Sequence, residues 1–183
     1  GFSLGGNIVL KYLGTVGKLV DTRIKSAIAV SVPMHLASSA VRLSKADNWI
    51  YLQRFLRPLK QKALDKARAH PDWKIDTKAI KRVRSFHEFD EVYTAPAHGF
   101  MNASDYYERS SSLYTLSNIH VPTLIINAQN DTFLTPENFP HEDVAYNDFL
   151  TMLTPVSGGH VGFASDNFMK GSFWHEKQAL RFI

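Results

Sequence analysis

The pattern of hydrophobic positions predicts three buried strands. The runs at residues 24–33 and 121–131 are rich in aliphatic side chains, and each ends in polar or turn-forming residues. Residues 148–160 show a partial alternation of apolar and polar positions that runs into a pair of glycines. Short apolar runs of this kind are typical of strands that are covered on both faces of a parallel sheet.

Helical periodicity separates these strands. After the opening glycines, apolar residues recur at positions 8, 9, 12 and 13, which is the spacing of a helix that buries one face. Thr135, followed by a proline and a glutamate, is a candidate N-cap for a short helix. The final segment is amphipathic and predicts a helix that turns Phe173, Leu180 and Ile183 inward. Strands that alternate with helices predict an α/β fold with a mostly parallel, doubly wound sheet.

Residues 44–117 interrupt this alternation. Residues 49–70 predict an amphipathic helix that is broken or kinked near Pro58, and the aromatic stretches 86–100 and 104–112 are expected to be irregular. A connection between two strands rarely needs so many residues. We therefore predict one α/β domain over residues 1–183, with residues 44–117 inserted as a helical cap.

The insertion is rich in aromatic and basic side chains. The aromatic residues are candidates for an apolar ceiling over a substrate, or for the core of the insertion itself. They are Trp49, Tyr51, Phe55, Trp73, Phe86, Phe89, Phe100, Tyr106 and Tyr107. The basic residues of the long helix, Lys60, Lys62, Lys66 and Arg68, are compatible with weak contact to an anionic membrane surface, or with a solvated face.

Composition narrows the function classes. The chain has 183 residues, 44% of them hydrophobic, which fits one globular domain. Its 21 basic and 17 acidic residues do not indicate a nucleic-acid partner. Because cysteine is absent, a disulfide framework, a thiolate zinc site and a cysteine nucleophile are excluded. No apolar run approaches the roughly 20 residues of a membrane span, and we expect a cytoplasmic protein.

Residues 1–5 fit the pattern G-x-S-x-G. In this motif the serine occupies a sharp turn between a strand and a helix, which exposes its hydroxyl above the sheet. Ser3 is therefore a candidate nucleophile, and the backbone amide of Leu4 is a candidate oxyanion donor. We expect both flanking glycines to be required where helix and strand approach closely. A phosphate-binding loop is disfavoured, since Asn7 stands where that motif needs lysine.

A serine nucleophile needs a histidine base and a carboxylate that orients it. In α/β hydrolases these follow in the order serine, acid, histidine, on loops after strands at one edge of the sheet. Asp131 and His160 meet both conditions. The competing acids are Glu137 and Asp143, and the competing bases are His141 and His175. The spacing of the eight histidines matches no metal motif, so we expect no metal.

Several segments resemble those of the YheT-like α/β hydrolases, a family that includes plant embryogenesis-associated hydrolases and mammalian abhydrolase-domain lipases. The similar segments, in the family's order, are GFSLGGN, LKYLG, FDEVYTAPAHGF, DYYERSSS, PTLIINAQND and SGGHVGF. Ser3, Asp131 and His160 stand at the family's nucleophile, acid and base positions. The resemblance implies hydrolysis of carboxylic esters, typically short-chain esters or monoacylglycerols, without a cofactor.

The resemblance also leaves alternatives open. An acyltransferase would use the same triad, although the H-x-x-x-x-D element of some relatives is absent. A binding module with an idle triad is a further possibility. Because Gly1 stands inside the serine motif, we expect a fragment, the C-terminal part of an α/β-hydrolase fold. The earlier strands and the loop with the second oxyanion amide are then expected to precede Gly1.

Overall fold

The computed structural model of the chain describes residues 1–164 and 173–183. The described residues form two compact units, one made of Gly1–His35 and Ser110–Ile183, the other of Leu36–Arg109. The α-helices of the described part are α1 (Leu4–Val16), α2 (Leu36–Leu43), α3 (Trp49–Ala69), α4 (Thr77–Arg82), α5 (Phe86–Phe89), α6 (Ala95–Ala97), α7 (Ala103–Ser110), α8 (His141–Ala145) and α9 (Trp174–Phe182). The β-strands are β1 (Ala27–Val30), β2 (Thr123–Ile126) and β3 (Leu150–Leu153).

The first unit is built on a parallel sheet. The strand order is β1-β2-β3, and both pairs are parallel, with Ala27 opposite Thr123 and Thr123 opposite Leu150. Phe2 continues the sheet through an isolated parallel bridge to Val30. These strands lie where the hydrophobic runs predicted them. The predicted α/β fold with a parallel sheet is therefore confirmed.

Helices cover both faces of this sheet. On one face α1 packs Leu10 and Leu13 against Ala29 and Ile125. Because neighbouring residues of a strand point to opposite faces, the adjacent strand residues form a second cluster. That cluster contains Val30, Leu124, Ile126, Ala128 and Phe163, with Trp174 and Phe182 of α9 packed against it. The sheet is therefore wound on both sides.

The inward face of α9 differs from the prediction. Leu180 and Ile183 are 77% and 80% exposed, and Phe173 is half-buried. Instead Trp174 stacks on Phe163 at 6.2 Å between ring centroids, and the Trp174 amide donates to the Phe163 carbonyl oxygen at 3.0 Å. This contact fixes the rotation of the helix about its axis. An amphipathic pattern alone cannot do so at a helix end.

The second unit is helical throughout its regular elements. Helix α3 runs through Pro58 without a break, so the predicted break is wrong, while the kink stays a prediction. Pro58 lies on the exposed side of the helix, so the carbonyl group that loses its hydrogen bond can be solvated. The predicted insertion at residues 44–117 overlaps the unit Leu36–Arg109. Its role as a cap stays a prediction.

The aromatic stretches expected to be irregular are mostly helical. Helices α5 and α6 flank a π-helical turn, Asp90–Thr94, and α7 follows. The Tyr107 hydroxyl donates to Asp90 Oδ2 at 2.7 Å, and the Ala103 amide donates to Glu91 Oε2 at 2.8 Å. These bonds join segments that are 12 or more residues apart in sequence. Local propensity could not reveal them.

Several of the aromatic residues belong to the core of the second unit. The buried or half-buried aromatic residues of its clusters are Phe86, Phe89, Tyr93, Tyr106 and Tyr107. By contrast Trp49, Tyr51, Phe55 and Trp73 are 39–60% exposed. The core interpretation therefore applies to the first group. None of the helices in the described part is long and apolar enough to cross a membrane.

Gly14 gives a test of the packing of α1. A Cβ atom at Gly14 would lie 2.6 Å from Thr115 Oγ1 and closer still to the Thr115 carbonyl oxygen. Because backbone must then move, Gly14→Ala is expected to lower the free energy of unfolding by about 1–3 kcal/mol. Gly5→Ala in the same helix is the control, since nothing lies within 4 Å there. Urea unfolding measures both, and an equal loss in the two variants would contradict the packing described.

Candidate active site

Ser3 occupies a strained turn between the sheet and α1. Its φ of 50° and ψ of −126° lie in a region that non-glycine residues rarely adopt. The Ser3 amide donates to the Val30 carbonyl oxygen at 2.8 Å, and the Val30 amide donates to the Gly1 carbonyl oxygen at 2.9 Å. These two bonds hold the turn on β1. The serine side chain is therefore fixed at the carboxyl edge of the sheet.

The glycines around Ser3 differ in whether the structure leaves room for a side chain. A Cβ atom at Gly1 would come within 2.6 Å of the Gly5 carbonyl oxygen, and one at Gly6 within 2.6 Å of the Val32 side chain. A Cβ atom at Gly5 would meet nothing within 4 Å. The steric reason predicted for both motif glycines thus holds for Gly1 and is wrong for Gly5. Gly6 is the residue that allows α1 to approach the chain after β1.

Asp131 lies on a turn after β2, and hydrogen bonds stabilise this turn and the residues around it. The buried side chain of Asn127 accepts from the Val32 amide at 2.7 Å and donates to the Asn138 carbonyl oxygen at 2.9 Å. The Asp131 amide donates to the Ala128 carbonyl oxygen at 3.1 Å. Asp131 Oδ1 accepts from the Phe133 amide at 2.9 Å. The Phe133 amide on the same loop therefore helps to orient the carboxylate.

His160 follows β3 through a glycine pair. Gly159 has a φ of +57°, and Gly158 has no room for a side chain because a Cβ atom there would lie 2.6 Å from the Phe163 ring. The His160 ring packs against Phe133 with 4.4 Å between centroids. The glycines thus give the loop its tight path, and Phe133 supports the imidazole from the side.

The structure brings the three predicted site residues together. His160 Nδ1 lies 2.8 Å from Asp131 Oδ2, and His160 Nε2 lies 2.9 Å from Ser3 Oγ. The Asp131 side chain is fully buried, and that of His160 is 17% exposed. A carboxylate on Nδ1 selects the tautomer in which Nδ1 donates to it. Nε2 is then free to accept from the Ser3 hydroxyl.

The predicted oxyanion donor, Leu4, lies next to this arrangement. It is the first residue of α1, so its amide has no carbonyl partner within the helix. The amide also lies at the positive end of the helix dipole. An anion formed beside Ser3 would therefore meet a free donor.

The competing residues lie elsewhere. Glu137 is held by Thr135, a hydrogen bond that lowers the pKa of its carboxyl group. His141 and Asp143 are exposed on α8. His175 is buried in α9 between Phe2 and Phe163, where burial lowers the pKa of its imidazole. None of the four takes part in the hydrogen bonds that join Ser3, His160 and Asp131.

Sequence reasoning missed Asn130. Its Oδ1 accepts from the amides of Gly158 and Gly159, at 3.0 and 2.9 Å, and so ties the loop of Asp131 to the loop of His160. In the sequence Asn130 is only a polar residue at the end of a strand-like run. Its partners are 28 and 29 residues away, a distance at which no sequence motif indicates them.

A metal site is not seen in the described ranges: residues 1–164 and 173–183 contain no group of three or more histidine, cysteine or acidic residues that could hold an ion. The arrangement there is a serine, an imidazole and a carboxylate in one hydrogen-bonded line. What such a line can do chemically is transfer a proton from the hydroxyl to the imidazole.

Comparison with known proteins finds homologues along nearly the whole chain. It is 34% identical over 179 residues to a protein of Escherichia coli named "Putative esterase YheT", with 97% of the chain and 52% of the relative covered. It is 32% identical over its full length to the monoacylglycerol lipase of Saccharomyces cerevisiae, of which it covers 41%. The chain is a homologue of the YheT-like α/β hydrolases. The resemblance inferred from the motif segments is therefore confirmed.

A further relative is also a lipase by name. The phospholipase ABHD3 of Bos taurus is 27% identical over 183 residues, which cover all of the chain and 44% of the relative. No protein-family model matches the chain. The chain spans about half the length of the curated YheT-like relatives that it matches.

The bridge made by Asn130 can be tested directly. In Asn130→Ala the Gly158 and Gly159 amides lose their acceptor, so their hydrogen exchange is expected to accelerate about tenfold or more. Asn130→Asp keeps an acceptor oxygen at the same place and is expected to retain more of the protection. Hydrogen exchange read by NMR measures this. Unchanged exchange at both glycines in the alanine variant would show that the bridge does not hold the loop.

Proposed function

We propose that the chain carries the catalytic triad of a serine hydrolase that cleaves carboxylic esters. Ser3 is the nucleophile, His160 the general base and acid, and Asp131 the residue that orients His160. The observation that carries this proposal is the continuous hydrogen-bonded line from Ser3 Oγ through both His160 nitrogens to Asp131 Oδ2. Homology to esterases and lipases supports the same reaction class.

The first half of the reaction forms an acyl-enzyme. Ser3 Oγ attacks the carbonyl carbon of the ester while its proton passes to His160 Nε2. The carbonyl oxygen becomes an oxyanion, which the Leu4 amide stabilises by a hydrogen bond. When the tetrahedral intermediate collapses, the bond to the alcohol oxygen breaks. The protonated His160 gives its proton to this leaving alcohol, and Ser3 is left acylated.

The second half uses the same groups with water. His160 Nε2 removes a proton from a water molecule, whose oxygen attacks the acyl carbon. Collapse of the second tetrahedral intermediate returns the proton to Ser3 Oγ and releases the carboxylic acid. Each step is completed by groups of this chain and water, so the proposed reaction needs no cofactor. An alcohol in place of water would give transfer of the acyl group instead.

The proposed substrates are short-chain esters or monoacylglycerols. The relatives' names include an esterase, a monoacylglycerol lipase and a phospholipase, and an ester of a carboxylic acid is the group that these activities share.

Replacement of Ser3 tests the proposal. Ser3→Ala is expected to lower kcat for p-nitrophenyl esters by roughly 10⁴-fold or more and to abolish labelling by a fluorophosphonate probe. Ser117→Ala is the matched control, because Ser117 is exposed and belongs to no element of the site. If Ser3→Ala kept most of its turnover or its labelling, Ser3 would not be the nucleophile. Absence of labelling in the unchanged protein would favour a non-catalytic binding module.

The role of Asp131 has a separate test. Asp131→Asn keeps the shape of the side chain, but it can present its NH₂ group to His160 Nδ1 and so favour the wrong tautomer. We expect kcat to fall by about 10⁴-fold with little change in KM, as loss of the orienting carboxylate does in serine proteases. Steady-state kinetics measures this. A change confined to KM would assign Asp131 to substrate binding instead.

A further inference from the structure

The positive charge of the chain is concentrated in one stretch. Residues 54–84 contain eleven lysine and arginine residues and three aspartates, a net charge of +8. The whole chain carries only +4, so the rest of it has a net charge of −4. Such a separation of charge within a domain indicates a surface for an anionic partner.

The fold joins the two ends of this stretch. The Lys60 ammonium group donates to the carbonyl oxygens of Lys81 and Val83, at 2.8 and 2.9 Å. This contact fixes the end of α4 against the middle of α3. The exposed Arg57 on α3 and the exposed Arg82 and Arg84 at the end of α4 therefore belong to one region of the second unit.

Carboxylates are few within residues 54–84, and just beyond them Glu88 Oε2 accepts from the Arg84 amide at 2.7 Å. Asp65 accepts from the Gln61 side chain at 2.8 Å and pairs with Arg68. Asp76 caps α4, accepting from the amides of Lys78 and Ala79 at 3.0 and 2.9 Å. Two of the three aspartates thus serve local contacts. The exposed Arg54 and Arg57 of α3 are not among the partners of these two aspartates.

Apolar side chains adjoin the charges on the same helix. Ile50 is 72% exposed, and with Arg54 and Arg57 it follows the spacing i, i+4, i+7 of a single helix face. Leu52 and Leu56 on the opposite side are buried in the core of the unit. Contact with the phosphate backbone of a nucleic acid would leave an exposed isoleucine in water and would contribute no hydrophobic free energy. Insertion at a lipid surface would remove the same side chain from water, which is favourable.

We propose that the exposed side chains of residues 49–57 and 81–84, here named the basic face, dock this protein on anionic lipid membranes. Arginine and lysine contact the phosphate headgroups, and Trp49 and Ile50 enter the boundary between headgroups and acyl chains. The proposal rests on the charge, exposure and contacts of the second unit alone. It stands apart from the assignment of Ser3, since binding to membranes needs no catalysis.

Co-sedimentation with vesicles tests the basic face. The protein is expected to bind vesicles of phosphatidylcholine mixed with phosphatidylglycerol. Its affinity for pure phosphatidylcholine vesicles is expected to be lower by roughly tenfold or more. Arg54→Glu/Arg57→Glu and, separately, Lys81→Glu/Arg84→Glu are each expected to weaken binding to the mixed vesicles by roughly tenfold or more. Added salt is expected to reduce the electrostatic part of the binding.

A charge-matched control tests whether binding depends on the basic face or only on net charge, and a further variant tests the apolar contribution. Lys18→Glu/Lys25→Glu changes the net charge by the same amount on exposed residues of the first unit, and its binding is expected to stay within about twofold. Ile50→Ser is expected to weaken binding by roughly fivefold, a loss that persists at high salt because it is apolar in origin.

Three results would overturn the proposal. One is equal binding to neutral and anionic vesicles. Another is an equal loss in the Lys18→Glu/Lys25→Glu control. The third is tighter binding to a single-stranded RNA oligonucleotide than to the anionic vesicles, which would make nucleic acid the partner. Because every substituted side chain is exposed, thermal unfolding of the variants is expected to match that of the unchanged protein.

Discussion

Parallel pairing of β1 with β2 and of β2 with β3 is the constraint on which the candidate site depends. Strands that run in one direction deliver the segments that follow them to a single edge of the sheet. Phe2, through its bridge to Val30, adds the segment of Ser3 to the same edge. Ser3, Asp131 and His160 are up to 157 residues apart in sequence, and they meet because each lies in the stretch of chain that follows one of these paired segments.

The strands bring the site residues only to the same edge of the sheet. Side-chain amides then position the loops that carry Asp131 and His160. Asn127 joins Val32 to Asn138, while Asn130 joins the loop of Asp131 to the loop of His160. A buried amide such as that of Asn127 is costly unless its donors and acceptors are satisfied, and here its partners are backbone groups of Val32 and Asn138. The loops that carry the carboxylate and the imidazole are thus joined by side-chain amides outside the triad. The strained φ of Ser3 is tolerated because the sheet and α1 fix both sides of the turn.

The second unit combines a polar interior with a basic exterior. Inside, burial raises the pKa of the Asp90 carboxyl group, and burial near Asp90 raises the pKa of Tyr106 to about 12. The hydrogen bond from the Tyr107 hydroxyl compensates Asp90 for part of its lost hydration. Outside, lysine and arginine dominate α3 and α4. The half-buried acidic residue and the exposed basic residues of this unit therefore lie on different elements, Asp90 in the turn between α5 and α6 and the lysines and arginines on α3 and α4.

How much of this was visible in the sequence follows from the range of each interaction. The three strands, the presence of α1 and the order of the site residues were predicted, because apolar runs, helical spacing and the serine motif are local patterns. The buried face predicted for α1 is partly wrong, since Ile8 and Tyr12 are exposed while Leu10 and Leu13 are buried. The rotation of α9, the helical course of residues 86–110 and the bridge made by Asn130 were not predicted. Each depends on a partner distant in the chain, Phe163 for Trp174, Tyr107 for Asp90 and Gly158 for Asn130. The sequence by itself determined which residues could do the chemistry. Only the tertiary structure decided which atoms meet, because that depends on packing and hydrogen bonds between segments that no local pattern connects.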